Sequence, residues 1–566
     1  MELVSKNNYF GTYLAMFLLG TILLFFRSAY NFITPFLFNE DGVWFAQLID
    51  NGFIHTFFHQ RYFMTGYLLL EEISIWINKL LFGYNLRYLA QIIAAVTYSF
   101  HSLVALITFI CLRKNLETFS RYLIWLLILL MPMGQSGYDV FGKICGYGYI
   151  FYFIALVLTF YLIFNVNDNT SKVKLIAIYL TLWICATTNS ASNIIIAVGF
   201  FTDILMQFLK LRKRCNYPNL LLYLKDLFGN FKNMLWVTLG IVCFICFLYQ
   251  AFAMRLLNDS GAIPRIIKFE NTIEFFGRAI LFYFTWPFYK HLNNICVILM
   301  LCLYLVLILV AVIVTRKEKR TEVLYLAFGA LIITLATFAM RPGLTNFLHS
   351  YQSTFPDRYY YVINLCVMLS IVYAASCFCH SLTLKFCKLY IYTLLVLPFI
   401  YSPFSIFEFD QFKYSSVFPF DSFLFEIFNG QRQPNGFYKT QTSSISSRSL
   451  RFIDLPENYV LSTMINARDY GNEKNIHKCY ALLNNDTLHI FYDGREDNLW
   501  FAIWSNYKGQ DDLIWVKPTN KCETGKFCYG LKLSSARILE SPYYIHFYRG
   551  DKKHEKFLCS FMTPIR

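Results

Sequence analysis

Charged side chains are scarce. They make up 15% of the 566 residues, against 57% hydrophobic, and the mean hydropathy is +0.44. Soluble domains carry about 25% charged residues, so composition excludes an ordinary soluble protein. Motifs of soluble nucleotide and hydrolase chemistry are also lacking. There is no Walker loop, no dinucleotide fingerprint, no HExxH helix and no nucleophile elbow. No internal repeat occurs at solenoid periods. The first apolar run lacks a small-residue cleavage site, so it reads as a retained span.

What the chain does have is a series of apolar runs, many near the roughly 20 residues that a bilayer requires. We read about eleven spans, near 10–27, 88–111, 120–134, 147–165, 174–188, 192–209, 234–254, 292–315, 323–340, 360–379 and 388–402. The net charge of +15 comes largely from short loops between these runs. Arg113-Lys114, Lys172 with Lys174, Lys210 to Arg214, Arg316 to Arg320, and Lys385 with Lys388 fall in alternate loops. That is the positive-inside pattern of a plasma (inner) membrane protein, not a nucleic-acid stripe. The N-terminus is then cytoplasmic, and everything after Pro403 is extracytoplasmic. The outer loop from Arg255 to Lys290, with five basic residues, breaks the trend.

The fold class expected is an α-helical polytopic membrane protein with a small C-terminal all-β extracytoplasmic domain. Residues 1–402 form the membrane domain, with an acidic first outer loop at 28–87. Within 60–85, Glu71, Glu72 and Lys79 argue against a span, because each charge at the bilayer centre costs about 2.5–3.5 kcal/mol. That segment, and Thr272 to Tyr289 with Glu274 and Arg278 four apart, read as amphipathic helices on the outer surface. Residues 403–450 read as a linker, from Asn435-Gly436 and the run Ser443 to Ser449. From 451 to 566, alternating segments at 488–492, 500–504, 513–516 and 544–548 predict strands. Of the 16 cysteines, Cys479, Cys522, Cys528 and Cys559 lie in this part. Four in an exported domain fit disulfides. The spacing of Cys522 and Cys528 is wider than a usual zinc knuckle.

Candidate chemistry sits in the outer loops. Glu40-Asp41 follows the first span, where a carboxylate suits a general base, a ligand for a divalent metal, or a solvated helix end. Arg61 lies some twenty residues on; its planar fork suits a phosphate, or it snorkels to the headgroups. His55 and His59, four apart, have metal-ligand spacing, which interfacial histidines also show. Arg358, in Asp357-Arg358-Tyr359-Tyr360-Tyr361 at the mouth of the tenth span, is placed to meet a phosphate, to pair with Asp357, or to anchor in an aromatic belt. Arg341 and His349 share its loop. Asp139 and Lys143 form a third outer cluster, where a mutual pair is the simpler account.

These residues resemble the membrane-embedded GT-C glycosyltransferases, and more narrowly the bacterial serotype-converting O-antigen glucosyltransferases. In that family an acidic pair follows the first span and a short arginine motif follows it; here the matching residues are Glu40-Asp41 and Arg61. The first acid is Glu where the family has Asp, and the surroundings of Arg61 lack the family's Gly and Pro. The resemblance implies transfer of a hexose from an undecaprenyl-phosphate-type donor to a cell-surface glycan on the outer face of the membrane. It implies Asp41 or Glu40 as base, and Arg358, Arg61, Arg341 and His349 around the donor phosphate. A divalent metal stays open. The partners implied are the lipid-linked donor, the glycan acceptor and membrane lipid, with no nucleic acid. A flippase or transporter of lipid-linked glycans, or an O-antigen polymerase or ligase, is the alternative. In the tail, Ala502 to Ser505, Gly509 to Trp515 and Tyr544 to Tyr548 resemble the streptococcal Bsp-like repeat, a small extracellular β module.

Overall fold

The computed structural model describes the chain apart from residues 33–38, 60–62, 133–139, 215–230, 257–268, 286–293, 341–356, 402–430, 443–450, 460–478, 493–497, 506–512, 522–526, 533–542, 551–555, 563–566 and a few further positions of one to three residues. The side chains of Glu40, His59, Asp357 and Arg358 also lie outside the described residues. The helices are α1 (Glu2–Arg27), α2 (Asn39–His59), α3 (Thr65–Phe82), α4 (Leu89–Cys111), α5 (Thr118–Leu130), α6 (Ile150–Phe164, entered through a 3-10 turn at Cys145–Tyr149) and α7 (Lys172–Ala186). They continue as α8 (Ser190–Arg214), α9 (Phe231–Leu256), α10 (Phe269–Thr285), α11 (Asn294–Val314), α12 (Lys317–Met340), α13 (Asp357–Ser376) and α14 (Leu382–Tyr401).

Every apolar run expected to span is helical. Among the described residues eight of these helices are long and apolar enough to cross a bilayer, in keeping with a multi-pass membrane protein. The remaining three of the expected eleven, α5, α7 and α13, have apolar stretches that are shorter. Helix α5 stops at Leu130, ahead of Pro132, where the residue before a proline is pushed out of the helical region.

The chain divides into two compact units. The larger comprises Met1–Ala29, Asn51–Ile73 and Ile93–Asp410. The smaller comprises Tyr30–Asp50, Ser74–Ile92 and Gln411–Arg566. Parts of the first outer loop are grouped with the C-terminal strands. Local composition cannot show such a partnership, because it is made by packing between distant segments.

The larger unit is a helical bundle with α6 and α13 at its centre. Helix α6 is apolar on every side, and such a helix has no face to give to water. Its residues Ile150 to Ile163 are all buried. Helix α13 is buried from Tyr360 to Ala375. Helix α11 behaves oppositely: Ile295, Ile298, Leu299, Leu303 and Ile313 are each more than half exposed. An apolar strip of that extent requires a cover, and in a spanning helix that cover is lipid. Helix α10, expected on the outer surface, is packed inside against α11 and α13. Its run Phe275 to Phe284 has Arg278 as its one charged residue, so apolar side chains surround the axis and every face can be buried. Arg278 keeps the expected pair with Glu274 at 2.8 Å.

The lysine-rich loops meet at one end of this bundle. The Lys114 ammonium donates to the Asn165 carbonyl at 3.2 Å, and Lys319 to the Asn115 carbonyl at 3.2 Å. Lys388 pairs with Glu117. Glu322 accepts from Asn115 Nδ2 at 3.1 Å and from the Tyr373 hydroxyl. At the opposite end, the Thr65 amide donates to the Thr187 carbonyl at 3.1 Å and the Gly66 amide to the Thr188 hydroxyl at 2.8 Å. Gly148 lies so close to the Tyr67 ring that a Cβ would overlap it.

The smaller unit holds eleven strands among the described residues, in three antiparallel sheets: β1-β2-β3, β11-β10-β6-β7 and β4-β5-β9-β8. Their ranges are β1 Gln431–Arg432, β2 Phe437–Thr442, β3 Arg451–Pro456, β4 Cys479–Asn484, β5 Thr487–Tyr492, β6 Leu499–Ser505, β7 Ile514–Val516, β8 Asn520–Lys521, β9 Phe527–Lys532, β10 Tyr543–Arg549 and β11 Lys556–Met562. The four expected strands are present as β5, β6, β7 and β10. Strands β1 and β2 fall in the segment read as linker. They pair antiparallel, and Asn435-Gly436 between them lies outside the described residues.

Candidate functional site

Asp41 lies in the first turn of α2 and is 1% exposed. A carboxylate in a first helical turn is stabilised by the free backbone N–H groups and the helix dipole. Burial sets it apart from a solvated acid that merely marks a helix end. Trp44, Phe45 and Leu48, one to two turns on, are buried with it. Gly52 interrupts α2 at φ +73 and ψ 172, a conformation that glycine alone adopts readily.

Beyond that break α2 becomes aromatic. Phe57 stacks on Phe63 at 5.0 Å, and Phe63 on Tyr249 of α9 at 4.4 Å. Ile54 and Phe58 are exposed at 74% and 62%, and with Asn51 and His55 they line a shallow depression. His55 is exposed. Among the described residues no three His, Cys, Asp or Glu side chains converge as a metal site.

Helix α3 has two different acids where the sequence reads one surface pair. Glu71 is fully buried, whereas Glu72 is exposed. Partial burial still raises the Glu72 carboxyl above its usual range. On the open side Ile73, Trp76, Leu80 and Leu81 are 46–68% exposed, as suits a helix lying along a lipid surface.

Arg358 occupies the first turn of α13. Tyr373, near the other end of α13, bonds Glu322 at the lysine-rich end. Arg358 therefore sits at the opposite end of the bundle, the end that holds Thr65, Thr187 and Gly148. The neighbouring turn is fixed from two sides. The Tyr360 ring stacks on Phe275 of α10 at 4.0 Å. The Tyr361 hydroxyl donates to the Ile128 carbonyl at 3.1 Å and lies 2.8 Å from His101 Nε2, itself 2.9 Å from the same carbonyl.

Arg27, His101 and Tyr361 form a buried polar cluster that the sequence reading did not single out. Arg27 is 1% exposed, donates to the carbonyls of Leu129 and Met131, and lies 4.2 Å above the Phe141 ring. It thereby satisfies carbonyls that the end of α5 leaves without helical partners. The one available signal was a histidine inside an apolar run and an arginine at the end of another, both costly there unless partnered. Asp203, buried within α8, is likewise unmarked by any local sequence pattern. It pairs with Lys232 at 2.7 Å and accepts from Trp236 Nε1 at 2.8 Å.

Arg61, Arg341, His349 and Asp139 lie outside the described residues, while Lys143 is 2% exposed. Cys479, Cys528 and Cys559 lie on β4, β9 and β11, and Cys522 lies outside the described residues. Strand β5 runs between β4 and β9, and Cys479 and Phe527 both face Tyr492. Two strand spacings, about 9–10 Å, exceed the roughly 7 Å limit on Cα separation in a disulfide. A Cys479–Cys528 bridge is thereby excluded.

No family model matches the sequence, and no curated protein matches it. A solved structure with some likeness is the crystal structure of the Archaeoglobus fulgidus oligosaccharyltransferase in complex with Zn and sulfate. The identity is 14% and the TM-score 0.32, over 69% of this chain and 52% of that one. The match thus spans about half the length of that enzyme.

Proposed function

We propose that this chain is a membrane glycosyltransferase of the GT-C type, taking a hexose from a polyprenyl-phosphate donor and placing it on a cell-surface glycan outside the membrane. The observation that carries the reading is the burial of Asp41 in the first turn of α2, just after the first apolar helix. A carboxylate held there is suited to take the proton of an acceptor hydroxyl as that oxygen attacks the anomeric carbon. Glu40 is its neighbour and the alternative base.

Breaking the anomeric bond puts negative charge on the departing phosphate. Guanidinium groups meet that charge with paired hydrogen bonds. Arg358 is the principal candidate, and Arg61, Arg341 and His349 are the further ones. Support comes from the position of the first turn of α13, at the end of the bundle away from the lysine-rich loops. By the positive-inside pattern, that end is the outer one. A transporter would need unpaired charges along a path through the spans. The buried charge within α8 is instead neutralised by Lys232.

The test is transfer in proteoliposomes from a labelled polyprenyl-phosphate hexose, together with analysis of surface glycan in cells with and without the gene. Asp41→Asn and Arg358→Ala are expected to abolish transfer at unchanged protein level. Wild-type glycan in both variants would defeat the assignment.

A further inference from the structure

We propose that one face of the sheet β11-β10-β6-β7 is a saccharide-binding platform, and that it holds the acceptor glycan. Strand alternation gives this sheet two faces. Leu499, Phe501 and Ile503 on β6, Ile545 and Phe547 on β10, and Val516 on β7 point one way, and each is buried to 8% exposure or less. Ile503 faces Ile545, and Phe501 faces both Phe547 and Val516. This is the sheet's core face.

Trp500, Ala502, Trp504, Trp515, His546 and Tyr548 take the other face. Ala502 is at the centre, opposite His546 on β10 and Trp515 on β7, with Trp500 and Trp504 two residues to either side. A small side chain is thus ringed by four aromatic or imidazole groups. Trp504 meets His546 at 4.4 Å and 70°, and Trp515 meets Tyr548 at 5.0 Å and 46°. Ala502 and Trp504 are themselves buried, at 2% and 8% exposure, so the accessible part of this face is made by Trp500, Trp515, His546 and Tyr548, which are half-buried. Polar atoms edge the rings. His546 Nδ1 is 3.2 Å from the Tyr548 hydroxyl, and the Lys517 ammonium lies 5.7 Å over Trp500 and 3.3 Å from Asn498 Oδ1.

A pyranose matches this chemistry. Its C–H faces are apolar and stack on aromatic rings, while its rim of hydroxyls both donates and accepts. Nucleic acid would call for a row of cations, and this face offers Lys517 alone among the described residues. A lipid surface would call for aliphatic side chains, and the centre of the face has none larger than Ala502. The unit that contains the sheet also contains Asp41. Within that unit Tyr84, from the first outer loop, meets Tyr459 edge-on at 5.0 Å. A base acts on the acceptor, so the acceptor's holder belongs in the same unit as the base. Naming the ligand as acceptor rests on the transferase reading; saccharide binding at this face does not.

The experiment uses the full chain in nanodiscs, titrated with short neutral hexose and N-acetylhexosamine oligosaccharides. Binding is read by tryptophan fluorescence and by calorimetry. Saturable binding is expected, with Trp515→Ala and Tyr548→Ala each weakening it about tenfold. Both side chains are half-exposed, and an unchanged thermal midpoint will confirm that each variant is folded. Absence of binding across the panel overturns the proposal, as does full affinity in both variants. Self-association through this face, or vesicle binding abolished by the same changes, overturns it too. Intact saccharide binding without any transfer defeats the transferase reading alone; transfer without saccharide binding defeats this inference alone.

Discussion

The Tyr361 oxygen ties three helices together, since it reaches the Ile128 carbonyl at the end of α5 and His101 on α4 from its own place on α13. Tyr361→Phe removes the donor and leaves buried polar atoms under-satisfied, at a cost of about 1–2 kcal/mol. A lower thermal midpoint in detergent checks this. If Arg358 binds the donor, the same change should also raise the donor KM, because the adjoining turn loses an anchor. His546 gives a pH-dependent prediction. Burial lowers its imidazole to about 4 from the usual 6.5. Between those values the unfolded chain binds more protons than the folded one, so stability falls as pH drops from about 6.5 to about 4. His546→Gln should flatten that decline in denaturant titrations. Residues of this kind were poorly legible in the sequence. Asp41 was marked by its place after a span, whereas nothing local separates buried Glu71 from exposed Glu72; only their direction around α3 does.

Elements were more legible than residues. Length and hydropathy located the helices, eight of them long and apolar enough to span among the described residues, because apolar runs of that size have one common solution in a bilayer. Helix α10 is the exception: an amphipathic pattern says that one face is polar, not how many neighbours cover the rest. Close approach between elements is equally silent. Gly148 leaves no room for a Cβ beside Tyr67. Gly148→Ala should therefore push α3 away from the turn that opens α6 and lower the thermal midpoint, and adding Tyr67→Ala should restore part of the loss. Additive losses would show that the two residues do not share one contact. At the α8–α9 contact, Lys232→Met strands the buried Asp203 carboxylate, at about 3–5 kcal/mol. Adding Asp203→Asn to that variant should recover most of it.

For the whole molecule, membership in units matters more than order along the chain. Residues Tyr30–Asp50 and Ser74–Ile92 are grouped with Gln411–Arg566. A truncation after residue 410 keeps every candidate base and phosphate ligand, yet removes the strands with which the Asp41 segment forms its compact body. Transfer should be lost in such a chain even where it still inserts in the membrane. A truncated protein with normal transfer would show that the segment around Asp41 holds its shape alone.

The lysines of the loops have two successive duties. On the proposed orientation, their charge would during synthesis report to the insertion machinery which ends stay behind. Afterwards Lys114 and Lys319 become hydrogen-bond donors that seal helix ends at Asn165 and Asn115. Deleting one of them therefore mixes misrouted chains with correctly oriented but loosened ones, and the two populations differ in which loops a membrane-impermeant label can reach.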